Sequence, residues 1–497
     1  IIEVRFRQRR TTTRVIHERG YNTPPTATET ENDGIVDRRW RTFERPSFKY
    51  EQLTPPWLLQ SASIQWSEWR DWAEVAANFT PLYQEDAPLP AEIQTEVQAI
   101  AAREKTPAAR AVEALRFVQG AVRYLAISMG EGGFTPRPYE QICSTRYGDC
   151  KDKSKLFVAV ARALGLEADP ALVNTRDGYM IDTVLPTAEI FDHCIVRLVV
   201  DGKTYWVDPT YTPQQGPLSV IGQSYLGWAL VLKPGANALE RMAEPPVEHL
   251  VDTLETVTLG DTVSAPVRYE WQHKFRGVRA EGMRARFARD GAVSVFKGFC
   301  EDVQRVWPNA KVAAQEIVSD NTETNTLTVR EAYDISEAWT KADDGSYKFA
   351  TRDFTIRGTL APLDPGERKH PVFLGHPGRV TRRVDVRSST AHSGGWDHRI
   401  AGSTLLFRDE MRVVDPRYIV IEQTLEIRSM VLPASESETY RSVVAKLESN
   451  ELMLSETVKN GKFVTAKANK ATSVWDALRW IVLILIAIYW IGQIVGG

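Results

Sequence analysis

Cysteine is scarce in this chain, with four residues in 497. So few thiols cannot frame a chain of this length, although a single bridge between Cys143 and Cys150 is compatible with their spacing. An excess of either charge is also missing. Sixty-one Lys and Arg stand against 64 Asp and Glu, a formal net charge of −3, which gives no electrostatic case for nucleic acid as a partner. There is no HExxH, Walker loop, paired CxxC or GxSxG elbow, so the common metalloprotease, nucleotide-triphosphatase and α/β-hydrolase signatures are absent. Gly130-Glu-Gly-Gly133 lacks the preceding strand and following helix of a phosphate loop. His370, His376, His392 and His398 do not have zinc-site spacing. No metal and no cofactor is expected.

What is present is globular protein, with 43% hydrophobic and 25% charged residues. The length predicts two to four domains. Residues 1–75 read as the end of a β-sandwich domain cut short at its start. Trp66, Trp69 and Trp72 within it are spaced as one helix face. Helical periodicity follows at Glu92–Ile100 and Ala108–Val122. Alternating strands dominate residues 246–454, which predicts a second β-sandwich with a helical insertion near Val293–Val306. Residues 455–474 read as a polar tether. Residues 475–497 are almost wholly apolar and long enough to cross a bilayer as a single helix. Lys459, Lys462, Lys467, Lys470 and Arg479 before this segment favour a cytoplasmic soluble part, which a removed signal peptide would override. A periplasmic or extracytoplasmic soluble part is the expectation.

The chemistry is concentrated in Arg146-Tyr-Gly-Asp-Cys150-Lys-Asp-Lys-Ser-Lys-Leu156. Cys150 stands where a loop becomes a helix, predicted over Lys151–Leu164 and ended by Gly165. Unpaired N–H groups at a helix N-terminus favour a thiolate. Polar neighbours Asp149, Lys151 and Asp152 argue against an inert buried cysteine. Downstream, Asp201-Gly202 predicts a two-residue hairpin turn between His193–Val200 and Thr204–Asp208. In that register Val200 pairs with Lys203 and Ile195 lies opposite Asp208. Asp208 then shares a face with His193, one diagonal away. A carboxylate within reach of an imidazole fixes its tautomer and stabilises the imidazolium. Cys194 falls on the opposite face and reads as core.

The order Cys, His, Asp and the wording Tyr147-Gly-Asp-Cys-Lys-Asp-Lys, Phe191-Asp-His193-Cys-Ile-Val and Tyr205-Trp-Val-Asp208-Pro-Thr210 resemble the transglutaminase-like superfamily of papain-type cysteine enzymes. The bacterial group whose core lies between β-sandwich domains is the most similar. The resemblance spans roughly residues 140–212, with looser echoes at Ser61–Trp66, at Pro136-Arg-Pro138 and, faintly, at Pro371-Val-Phe-Leu in the C-terminal β region. It implies an α+β fold, with helices packed on an antiparallel sheet over residues 76–245. It also implies Cys150 as nucleophile, His193 as general base and then acid, and Asp208 as orienting carboxylate. The expected activity is membrane-anchored acyl transfer on an amide or peptide bond of a peptide or protein substrate through a thioester. The backbone N–H of Cys150 is a natural oxyanion donor, and Trp206 and Tyr147 are candidates for substrate contact. The rival expectation is a non-catalytic binding module on the same scaffold.

Overall fold

The computed structural model describes residues 2–9, 15–21, 26–42, 51–58, 63–126, 133–449 and 452–464. The apolar segment 475–497 lies outside the described residues. Among those described, no helix is long and apolar enough to cross a membrane. The chain forms two compact units, Ile1–Pro245 with Thr322–Asn325, and Pro246–Asn321 with Thr326–Gly497.

In the first unit, β1 (Ile2–Arg9), β3 (Thr28–Asn32) and β4 (Ile35–Thr42) form a sheet in the order β1-β4-β3, while β2 (His17–Tyr21) pairs with β5 (Ser63–Ser67). The tryptophan spacing does not make one helix face. Trp66 lies in β5 and stacks on Phe6 at 5.2 Å. Asp71 caps α1 (Trp72–Phe79) by accepting from the N–H of Glu74, so the helix starts only at the third tryptophan. The boundary expected at residue 75 falls inside this helix. Val75, Ala76 and Phe79 of α1 share a buried cluster with Cys150.

Next come α2 (Ala91–Arg103), α3 (Pro107–Ala121), β6 (Arg123–Tyr124), α4 (Tyr139–Thr145), β7 (Tyr147–Gly148) and α5 (Cys150–Ala163). A five-stranded antiparallel sheet completes the unit: β8 (Glu167–Val173), β9 (His193–Val200), β10 (Lys203–Val207), β11 (Trp228–Val231) and β12 (Glu240–Arg241), in the order β10-β9-β8-β11-β12. The apolar stripe of α5 has Leu156, Phe157 and Val160 at 0% exposure, packed with Val112, Leu115 and Val118 of α3 and Val196, Leu198 and Val200 of β9. Each such side chain contributes about 1.5–3 kcal/mol of burial. Gly165, at φ +79°, ends the helix, with the N–H of Leu166 donating to Ala161 and that of Gly165 to Arg162.

The second unit is a β-sandwich of unequal sheets. Its main sheet runs through residues 310–321, 326–335, 267–276, 248–258, 378–387, 418–427, 405–415 and 395–401. All neighbours are antiparallel except 248–258 and 378–387. A four-stranded sheet from 340–341, 347–350, 453–459 and 462–464 supplies Phe349 and Leu454 to the same core as Tyr269 and Trp271. The stretch expected to be a tether is therefore hairpin up to Val464. Asn460 and Gly461, at φ +52° and +76°, make its turn. The insertion is two helices, Gly277–Asp290 and Ala292–Val306.

Two backbones of the first unit cross where a Cβ on Gly178 would stand 1.9 Å from the Leu226 carbonyl oxygen. Gly178→Ala is expected to cost about 3 kcal/mol, read as a lower denaturant midpoint. An unchanged midpoint would refute this crossing.

Candidate active site

Cys150 is the first residue of α5, and the helix is capped on both sides of it. The Asp149 carboxylate accepts from the N–H groups of Lys151 (2.9 Å) and Asp152 (3.2 Å), and the Asp152 carboxylate accepts from the N–H of Asp149 (3.3 Å). The cap leaves the N–H of Cys150 to other uses. Contrary to the expectation drawn from its polar neighbours, Cys150 is buried at 8% exposure, and so are Asp149, Lys151, Asp152, Lys153, Ser154 and Lys155. Each charge has a partner. Lys151 Nζ reaches Asp149 Oδ2 at 2.7 Å, Arg137 Nε reaches Asp152 Oδ2 at 2.8 Å, and Lys155 Nζ reaches Glu85 Oε2 at 2.6 Å. Lys153 donates to the carbonyls of Gln119 (3.2 Å) and Val122 at the end of α3. Burial pushes its ammonium down to about 8, against the pull of Asp208.

The β9–β10 hairpin has the predicted register, with Lys203 opposite Val200 and Val207 opposite Val196. Asp201 and Gly202 both have positive φ, +51° and +76°, as a type I′ turn requires. His193 opens β9 and Asp208 follows β10, and His193 Nε2 lies 2.8 Å from Asp208 Oδ2. Asp208 Oδ1 accepts from the N–H (2.8 Å) and hydroxyl (2.6 Å) of Thr210. With Oδ1 so occupied, Oδ2 takes the proton-bearing Nε2, and Nδ1 is left for a second partner. Burial lowers the His193 pKa. Hydrogen bonds to Asp208 and Cys150, with their charges, outweigh it and hold the imidazolium up to about 10. Gln119 ties the two halves together. Its Nε2 donates to the Asp208 carbonyl (3.1 Å) and its own carbonyl accepts from Lys153.

Cys150 and His193 line one cavity of about 60 Å³, walled by Phe79, Phe134, Leu172 and Phe191. Trp206 and Tyr147 are not among its lining residues. Trp206 is 4% exposed in the core with Ile195 and Val231, and Tyr147 lies under the Arg137 guanidinium at 4.7 Å. Cys194 is fully buried beside Tyr83 and Cys150, and burial pushes its thiol up to about 12. All four cysteines are free, Cys143 and Cys150 among them, so the 143–150 bridge does not form here. Sequence reasoning gave no role to Lys153, although it closes the Tyr147–Lys153 wording, and missed Gln119 and Tyr83, which carry no motif and become visible only through packing. No group of three or more His, Cys, Asp or Glu among the described residues is placed to hold a metal ion.

Residues 94–209 match the model of the transglutaminase-like superfamily. That stretch is similar to a transglutaminase-like core. A solved structure from Parabacteroides distasonis ATCC 8503, described as a "putative protease", has the same fold, with a TM-score of 0.57 over 91% of this chain and 72% of that one, at 13% identity. No curated protein matches. Cys150, His193 and Asp208 all lie within the matched stretch, whereas Phe79 and Tyr83 of the cavity precede it.

A histidine raised from 6.5 to about 10 on folding stabilises the protein fully below pH 6.5 and loses that contribution as pH rises through 10. Asp208→Asn is expected to bring the His193 titration, followed by ring NMR, down by more than two units. The gap in melting temperature between wild type and variant should then close between pH 7 and 10. A titration that stays near 10 would remove Asp208 as the cause.

Proposed function

We propose that this chain is a cysteine acyl-transfer enzyme acting on an amide or peptide bond of a peptide or protein. The observation that carries the reading is the 2.8 Å contact of His193 with Asp208, on a ring that lines the same cavity as Cys150. The Cys150 sulfur attacks the carbonyl carbon, forming a C–S bond while the π pair moves to oxygen. Collapse breaks the C–N bond, and the imidazolium of His193 gives its proton to the departing amine. His193, now neutral, takes a proton from water or from an acceptor amine, which attacks the thioester and releases the thiolate. Asp208 holds the ring through Nε2 throughout. The "putative protease" of the same fold is in keeping with the hydrolytic branch.

Incubation of the full chain with a peptide library, followed by mass spectrometry of the acyl adduct, tests this. An adduct on Cys150 is expected in the wild type and none in Cys150→Ser. His193→Ala should lower turnover by about 10²–10⁴-fold with the melting temperature little changed. An adduct that persists in the serine variant would remove Cys150 as nucleophile.

We also propose that residues 475–497 anchor the chain in a membrane, with the described part extracytoplasmic. An engineered surface cysteine should react with an impermeant maleimide in intact cells. Reaction only after lysis would place it on the cytoplasmic side.

A further inference from the structure

One residue lining the cavity has a buried polar atom that neither the reaction above nor any oxygen or nitrogen partner uses. Tyr83 ends the 3-10 turn Thr80–Tyr83 after α1 and is 7% exposed, and its hydroxyl is buried with no oxygen or nitrogen partner, only the weakly accepting Cys194 sulfur acting on it. Five buried side-chain atoms among the described residues lack such a partner, and the Tyr83 hydroxyl alone belongs to a residue lining this cavity. The groups acting on it electrostatically include the Cys194 and Cys150 thiols and the Asp149 carboxylate. Leaving a hydroxyl in this state costs about 1–3 kcal/mol, which a phenylalanine of the same shape would avoid. An unsatisfied donor kept in a cavity with a nucleophile is accounted for if its acceptor arrives with the substrate.

The acceptor has a definite chemistry. When the Cys150 sulfur adds to a carbonyl, the oxygen takes the π pair and becomes an anion that needs donors fixed in advance. One is the N–H of Cys150, which the Asp149 cap does not claim. We propose that the Tyr83 hydroxyl is the second oxyanion donor, and so a catalytic residue of the acyl-transfer reaction, contributed by a segment upstream of the transglutaminase-like stretch. Burial, then the Cys194 and Cys150 sulfurs, keep its pKa well above the ordinary tyrosine value, so it is a protonated donor at neutral pH. It donates a hydrogen bond and transfers no proton. When the intermediate collapses, the pair returns to the C=O bond and the leaving group departs. The assignment rests on Cys150 as nucleophile.

Two reagents separate this role from a structural one. With p-nitrophenyl acetate the Cys150 sulfur forms a thioester through an oxyanion, and p-nitrophenolate leaves. With iodoacetamide the same sulfur displaces iodide and no oxyanion forms. In Tyr83→Phe, acylation of Cys150 in the full chain is expected to slow about 10²-fold or more. Alkylation should be unchanged, with a melting temperature equal to or above that of the wild type. Equal acylation of both proteins, or an equal fall in both reactions, overturns the assignment of Tyr83 alone. Absence of any Cys150 acylation in the wild type overturns the nucleophile, and this assignment with it.

Discussion

The first turn of α5 is buried although nearly every side chain on it is charged, and the site depends on how that burial is tolerated. An unpaired charge in such a place costs several kcal/mol, so each must be met by a fixed partner. The partners come from four separate segments: Glu85 before α2, Arg137 before α4, Asp149 at the cap, and the carbonyls of Gln119 and Val122 at the end of α3. A shift of the turn by one residue would strand several charges together. The helix end, and Cys150 on it, are therefore located by contacts that do not involve the sulfur. Gly148 adds a steric limit, because a Cβ there would come 2.8 Å from that of Asp152.

The other half of the site is positioned by sheet geometry. A type I′ turn permits one register, and that register puts Asp208 on the His193 face. Pairing stops at Val207, where Asp208-Pro-Thr210 folds back so that Thr210 occupies one carboxylate oxygen and leaves the other for the ring. Gln119 bonds to both halves, so α3 acts as a bracket between the cysteine helix and the aspartate turn. The catalytic arrangement proposed above thus rests on one helix that supplies none of its three residues.

Local signals were legible wherever a single physical rule decided the outcome. The stripe of α5, its Gly165 stop and the Asp201-Gly202 hairpin depend on periodicity and positive φ, and each could be read in the sequence with its register. The reading faltered where tertiary partners decide. Charged neighbours of Cys150 suggested exposure, because pairing with Glu85 and Arg137 spans 70 and 15 residues in sequence and leaves no local pattern. Trp66, Trp69 and Trp72 mimic helical spacing across a strand, an irregular connection and a helix start. Asn460-Gly461 was the same kind of hairpin signal as Asp201-Gly202, hidden in a stretch whose composition suggested a tether.

The cavity wall extends beyond the matched stretch. Cys150, His193 and Asp208 belong to residues 94–209, whereas Phe79 and Tyr83 come from α1 and the turn after it. Phe79 meets Phe134 edge-on at 5.8 Å, and Phe191 meets Trp72 in the same manner. Aromatic walls lower the local dielectric, so the His193–Asp208 contact and any anion formed beside Cys150 interact more strongly than they would in water. The same walls make an unsatisfied hydroxyl costly. Where Phe79, Phe134, Leu172 and Phe191 form the wall, a polar atom without a task is costly, and the Tyr83 side chain shares that cavity with the Cys150 sulfur on which the proposed reaction turns.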